Sequence, residues 1–451
     1  YTRQSGNNSD MNSNSRETGI TGVTHINQDQ ETSARNQEYD LVYKSEFGKE
    51  GQNLEFQANY NRNDEKNRRE SIQKGLESGN QREENYRANL DYTLPFSDKS
   101  EFTAGGEVRV NKFKDLYGVT TTNYYEFSRD IYSLYMEYKK EWDRLGIKAG
   151  LRGEYTDTRT ESDFSDSQGF KKYDYQLYPT LHTGYKLGKE KKTEISLNYS
   201  RRVDRPWAGL FSPVPQISVG TVVFTGNDKI KPEYTNSYEV GISTNLPKVY
   251  IGANVFYRDV KDQITQRFIE YPTYIEIVSE NTKGNDQYGG EIDINYNPFK
   301  WWSINSGFEY YWGKVSGMIL EKEYKRDISN AFFRVNSSFT LPKSFNVQLF
   351  GMAQSRSKDL QNNYKEQWRV DLSVKKAIMD DQLSFTVRIS DLFNTQHSEY
   401  ETIHPSYIDG RSDWESRRIS FSVKYSFASG KIKKAERKQK EDNTKKGGGM
   451  M

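Results

Sequence analysis

Little in this chain can do covalent chemistry. It has four histidines, His25, His182, His397 and His404, and no cysteine. Without thiols there are no disulfide frameworks, no cysteine nucleophile and no cysteine zinc site. His397 and His404 share one expected loop with Glu399, Glu401 and Asp409. Imidazole and carboxylate are zinc ligands, but this spacing matches no metal-binding motif. A polar loop is therefore expected, and no metal or cofactor site is assigned. His182 lies in the strand-like run YPTLHTGY and is expected to face a polar lumen or an interface. No acyl-transfer motif accompanies the serines. The carboxylates are spread over loops, so no acid–base pair can be chosen. The chain is not expected to be an enzyme, and no catalytic residue is assigned.

The candidates for binding are Arg201, Arg202 and Arg205, with Trp207 two residues further on. Guanidinium groups fork onto acidic groups, and an indole face stacks on apolar bodies or cations. These four are the candidate ligand-contacting residues. The other reading is that the arginines pair with carboxylates of the lumen or rim and position the loop that begins here.

The elements that hold these residues show themselves between 192 and 264. Ile195, Leu197 and Tyr199 alternate with Glu194, Ser196 and Asn198. A long loop rich in proline and glycine follows. Tyr238, Val240 and Ile242 then alternate with Ser237, Glu239 and Ser243. A tight turn at Leu246-Pro247-Lys248 leads into Ile251, Ala253, Val255 and Tyr257. A period of two gives each strand one apolar and one polar face. A long loop at one end and a short turn at the other is the asymmetry of an outer-membrane barrel hairpin.

Composition agrees. Of 451 residues only 33% are hydrophobic, yet 14% are aromatic, with 33 Tyr. A mean hydropathy of −0.97 is low for a packed globule. Disordered chains are poor in aromatics, whereas barrel strands combine one polar face with aromatic girdles. Lys+Arg 65 and Asp+Glu 63 nearly cancel, and no nucleic-acid recognition motif is present, so no nucleic-acid partner is expected. No apolar run reaches the roughly 18 residues of a transmembrane helix. No signal peptide is visible at Tyr1, and an exported chain is expected to have lost its start.

Hairpins are expected at 39–47 with 54–60, 86–94 with 102–110, 131–138 with 147–155, and 173–187 with 193–199. After the central stretch they recur at 288–296 with 302–312, 331–341 with 345–353, and 368–374 with 383–389. A single strand at 418–427 closes the series. There Ile419, Phe421, Val423, Tyr425 and Phe427 alternate with Arg418, Ser420, Ser422, Lys424 and Ser426. Charged side chains face lipid only at a cost, so the polar face should line the lumen. The sum is an all-β, antiparallel transmembrane barrel of about 17 strands, each of roughly 9–11 residues. Sandwich strands are shorter, and propeller blades hold four short strands. Residues 1–36 read as a polar extracellular loop and 37–428 as the barrel. Residues 429–451 read as a disordered basic tail on the periplasmic side. Trp301, Trp302, Tyr310 and Trp312 are expected in the girdles.

Several short runs fall on these strands in a recognisable order. They are Arg201-Arg202-Val203-Asp204-Arg205-Pro206, Gly226-Asn227, Lys231-Pro232-Glu233 and Phe256-Tyr257-Arg258-Asp259-Val260-Lys261. Gly150-Leu151-Arg152-Gly153-Glu154-Tyr155, Tyr178-Pro179, Asp391-Leu392-Phe393-Asn394 and Tyr425-Ser426-Phe427 join them. From about residue 38 onward the chain resembles TonB-dependent outer-membrane receptors, most closely the outer-membrane β-barrel protein family of Bacteroidetes. The resemblance implies the C-terminal barrel part of a receptor in the outer membrane of a Gram-negative bacterium. It implies import of a nutrient ligand through a lumen gated by an N-terminal plug and driven by the TonB energy-coupling complex. The alternative is a non-transporting barrel that serves as a structural platform or a subunit of a surface complex. Outer-membrane lipids are partners in either case. The arginine motif looks generic to the family, which favours its pairing with carboxylates over ligand contact. A transporter-sized barrel has ~22 strands, leaving roughly five to be supplied from upstream. An open edge is then expected at 39–47, facing away from 54–60.

Overall fold

Period-two alternation becomes pairing. Among the described residues, seventeen strands in series, with two more at one edge, form a 19-stranded sheet. The series begins with β1 (Gly22–Glu46), β2 (Asn53–Ser71), β3 (Gly75–Ser97), β4 (Ser100–Gly118), β5 (Thr122–Glu141) and β6 (Leu145–Ser162). Next come β7 (Lys171–Leu187), β8 (Thr193–Asp204), β9 (Glu233–Leu246), β10 (Val249–Lys261), β11 (Gly284–Phe299) and β12 (Trp302–Ile319). The series ends with β13 (Lys322–Leu341), β14 (Phe345–Gln354), β15 (Gln367–Ile378), β16 (Leu383–Ser390) and β17 (Arg418–Tyr425). Each pairs antiparallel with the next. This computed structural model describes residues 2–426 apart from 6–8, 20–21, 72–74, 119–121, 165–168, 215, 218–221, 273, 320–321 and 404–406. The expected basic tail, His404 and Phe427 lie outside the described residues.

The outer face is apolar and uncovered. Leu134, Tyr175 and Ile419 are each 76% exposed, which a water-facing surface of this extent would not tolerate. Two aromatic belts bound the band. At the loop end Tyr199, Tyr238, Tyr257, Tyr288 and Trp312 stand directly opposite one another on successive strands. Their neighbouring rings are 4.8 to 6.1 Å apart. At the turn end Phe299, Trp301, Trp302 and Phe339 stack, with Tyr296 close in sequence on β11. From Tyr288 to Tyr296 a strand rises ~3.4 Å per residue, roughly 27 Å in all. At a tilt of ~40° that is about 21 Å along the membrane normal, close to the apolar band of a bacterial barrel.

Several strands outrun the expected crossing length, β1 with 25 residues and β3 with 23. Beyond the belt both faces are wet, so alternation vanishes while pairing continues through polar side chains. Asn61 donates to Asn36 at 3.0 Å, and Arg62 and Arg82 both hold Asp64. The stretch read as a polar loop, 1–36, also carries strands. Thr2–Ser5 pairs with residues 35–38 of β1, and Ser9–Gly19 pairs with residues 22–32. Pro179 lacks an N–H, and it sits where β7 has just run past the end of its pairing with β8.

Residues 39–46 of β1 pair with β2 alone among the described residues, and β17 pairs with β16 alone. The edge expected at 39–47 is thus open. Ser9–Gly19 nevertheless approaches Ile408–Asp413, so the sheet curls until its two ends draw near at the loop end.

Candidate functional site

The inner face of β3 to β6 is built from charges two residues apart. Arg87, Asn89 and Asp91 share one face of β3, and Glu107 and Arg109 one face of β4. Ser133 and Tyr135 on β5, and Arg152 and Glu154 on β6, complete it. The register sets Asn89, Glu107, Ser133 and Glu154 in one row across the wall. Glu107 is held by Arg87 at 2.7 Å, Arg109 at 2.9 Å and Arg152 at 2.7 Å. Glu154 is held by Arg109 at 2.8 Å, Arg152 at 2.6 Å and Arg205 at 2.6 Å. Asp91 accepts from Tyr135 and from Asn89. Both glutamates are buried, so each needs these partners to stay charged.

On the loop-end side of this row lies the segment after β8. From Arg205 it turns inward instead of away from the wall. Pro206 leads into a 3₁₀ turn, Ala208–Phe211. Phe211, Val214 and Ile230 pack with Phe113, Tyr125 and Phe127 of the wall. The Tyr125 hydroxyl donates to the Ala208 carbonyl at 2.9 Å, and Arg129 donates to the Pro206 carbonyl at 2.9 Å. Gly226 is required here, because a Cβ would run into the backbone of Ser212, to whose carbonyl the Gly226 N–H donates at 2.9 Å. Asn227 then ties the segment to the Ser279 carbonyl at 3.0 Å.

Two small sheets stand above this at the loop end. Ile264–Glu270 and Ile275–Asn281 pair as a hairpin, with Val222–Thr225 parallel to the second strand. His397–Thr402 pairs with Ile408–Asp413 and Asn362–Tyr364. Gln361 joins the two sheets, accepting from the Phe268 N–H at 3.0 Å and donating to its carbonyl at 3.3 Å. Glu399 is occupied by Lys365 at 2.7 Å, Arg411 at 2.9 Å and His397 at 3.3 Å. Lys365 foremost holds its carboxyl below the usual range, against a smaller opposing effect of burial. Asp391 lies fully buried after β16. Burial pushes its carboxyl up, but hydrogen bonds from Ser416, Thr395 and Gln396 outweigh that and hold it below the ordinary value.

The four residues singled out from sequence do not form one site. Arg205 is 3% exposed and belongs to the Glu154 cluster. Arg201 donates to Gln176 at 2.9 Å and lies over the Tyr234 ring. Arg202 is exposed on the same strand. Trp207 is folded onto its own segment, over Gly209. His182 is on the polar face beside Asn198, at 3.2 Å. Sequence reasoning missed Arg87, Glu107, Arg109 and Arg129. The signal was there in opposite charges two residues apart on a strand's polar face, as in Glu107-Val108-Arg109 and Arg152-Gly153-Glu154.

Comparison with known proteins gives the same architecture. Residues 45–425 match the model of the outer membrane protein beta-barrel family. No curated protein sequence matches the chain. The solved structure of the copper transporter OprC aligns with a TM-score of 0.64 at 13% identity, over 90% of this chain and 68% of that one. The ferric yersiniabactin uptake receptor FyuA from Yersinia pestis gives 0.59 at 13% identity, over 90% and 62%. The siderophore receptor PiuA from Acinetobacter baumannii gives 0.61 at 13% identity, over 89% and 65%. At these identities the likeness is one of fold, and the chain spans about two thirds of each of these proteins. All three names are those of transporters or receptors, and none is that of an enzyme.

Proposed function

The chain belongs to the outer membrane protein beta-barrel family, and on that premise we propose that it forms the wall of a receptor that imports a scarce nutrient. Its place is the outer membrane of a Gram-negative bacterium. The observation that carries the proposal is the contrast between the two faces. The outer one is a bare apolar band, and the inner one is a charged wall with a segment folded into it. A purely structural barrel has no need of charges held under an inward segment, whereas a solute path does. The fold neighbours are named for copper, for ferric yersiniabactin and for a siderophore, so metal ions and their chelates are the first ligand class to test. Strands beyond the two open edges would complete the wall, since unpaired backbone groups in lipid cost several kcal/mol each. A plug and the TonB energy-coupling complex would supply gating and drive.

The test is accumulation of labelled metal chelates by cells with and without the gene. Loss on disruption, restoration by the intact gene and abolition by collapse of the proton-motive force are expected. Unchanged accumulation across a broad chelate panel would overturn import and favour the platform reading.

A further inference from the structure

Two buried carboxylates of the inner wall answer four guanidiniums. Glu107 and Glu154 between them serve Arg87, Arg109, Arg152 and Arg205. A fifth guanidinium, Arg129, is 3% exposed and has no carboxylate partner among the described residues. Its partners are neutral: the Pro206 carbonyl at 2.9 Å, the Thr158 hydroxyl at 3.3 Å and the faces of Phe127 and Phe211. Arg205 and Arg109, both of its own sign, bear on it, as does the Tyr125 hydroxyl in the opposite sense. Arg205 is equally buried. Its Nη2 meets Glu154, Thr156 and Tyr178, while Nε and Nη1 have no acceptor among the described residues. A buried charge without a counter-charge is strongly unfavourable, and each buried donor without an acceptor adds to the cost.

We propose that Arg129 and Arg205 form an anion-binding site that receives an oxyanion group of a solute when residues 206–214 lift off the wall. In the closed state the Pro206 carbonyl stands in for the anion at Arg129. An anionic oxygen there would replace a neutral acceptor with a charged one, which is the stronger bond. Further oxygens would reach the two idle nitrogens of Arg205, which Glu154 keeps in place. Phosphate, sulfate and carboxylate share this chemistry. The accepting oxygens belong either to a free ion or to an acidic group on a larger solute. The site rests on the lumen reading given above, but binding in micelles needs no transport, so failure of binding and failure of uptake are separate results.

The experiment uses the full chain folded in detergent micelles. Inorganic phosphate and citrate are titrated at constant ionic strength against chloride, with calorimetry and the thermal midpoint as readouts. Wild type should bind at least one of them saturably, with a rising midpoint. Phosphate binding identifies a free ion as sufficient, and citrate binding alone identifies the acidic group of a larger solute. Arg129→Gln should abolish saturation and, in anion-poor buffer, should unfold later than wild type, because a lone buried charge has been removed. Arg205→Lys, which keeps the charge but loses the fork, should weaken binding by at least ~10-fold. Exposed Arg388→Gln should bind as wild type. No saturable binding of either anion would overturn the proposal. So would earlier unfolding of Arg129→Gln without anions, since Arg129 would then already have its partner.

Discussion

Placing arginine at Ile292 should be far more damaging than its exposure suggests. Ile292 is 44% exposed, which on a water-facing surface would make substitution mild. Here it stands four residues from Tyr288 and four from Tyr296 along β11. At ~3.4 Å per residue and a tilt of ~40°, it lies about 10 Å from either belt, at the middle of the apolar band. Arginine at that depth costs roughly 2–4 kcal/mol, falling to ~0–1 near the interfaces. Leu197 is only two residues from Tyr199 of the upper belt, so Leu197→Arg should cost less than Ile292→Arg. Asn305 is exposed on the inner face of β12, and Asn305→Arg should stay within ~0.5 kcal/mol. Reversible folding into thin lipid vesicles, followed by tryptophan fluorescence against denaturant, measures all three. Equal costs for Ile292→Arg and Asn305→Arg would refute the assignment of faces. A larger cost for Leu197→Arg than for Ile292→Arg would refute the height of the band.

Three further outcomes follow from the inner wall and the loop end. Glu154→Gln strips counter-charge from Arg109, Arg152 and Arg205 at once and should cost ~3–5 kcal/mol in the same folding titration. Gly226→Ala forces a methyl into the Ser212 backbone and should loosen the inward segment by ~1–3 kcal/mol, seen as faster proteolytic cleavage between 205 and 232 with the barrel intact. Asp391 has a folded pKa below its unfolded value near ~3.9. Its stabilisation is therefore full above that unfolded value and is lost as pH falls through the lower folded one. Asp391→Asn should flatten the acid limb of stability against pH, and an unchanged limb would show that the carboxylate is not the group responsible.

The barrel was legible because each crossing has to alternate. β17 and β15 repeat apolar and polar residues so regularly that their faces can be read without coordinates. The watery extensions of β1 to β5 were not legible, because once both faces meet solvent there is no pattern of two to read. Ser9–Gly19 is an example, polar throughout yet paired. Of the candidate site, the reading of Arg205 as a partner for carboxylates was recoverable from its motif. The identity of the carboxylate was not, since Glu154 lies 51 residues earlier and only the register brings them together. The place of Trp207 over Gly209 was not legible, because an aromatic beside arginines looks the same whether it faces a solute or its own backbone.

The aromatic belts have a consequence for the surrounding lipid. A wall about 21 Å tall is shorter than the ~30 Å hydrocarbon core of an average bilayer. The difference must be met by thinning, because stacked rings on successive strands cannot slide independently. At a fraction of a kcal/mol per Å of mismatch, the ring of lipids next to the protein carries a compression of a few kcal/mol in a thick membrane and almost none in a thin one. The protein should therefore collect where short or loosely packed acyl chains gather. Two such walls would attract each other across the shared, deformed lipid without touching.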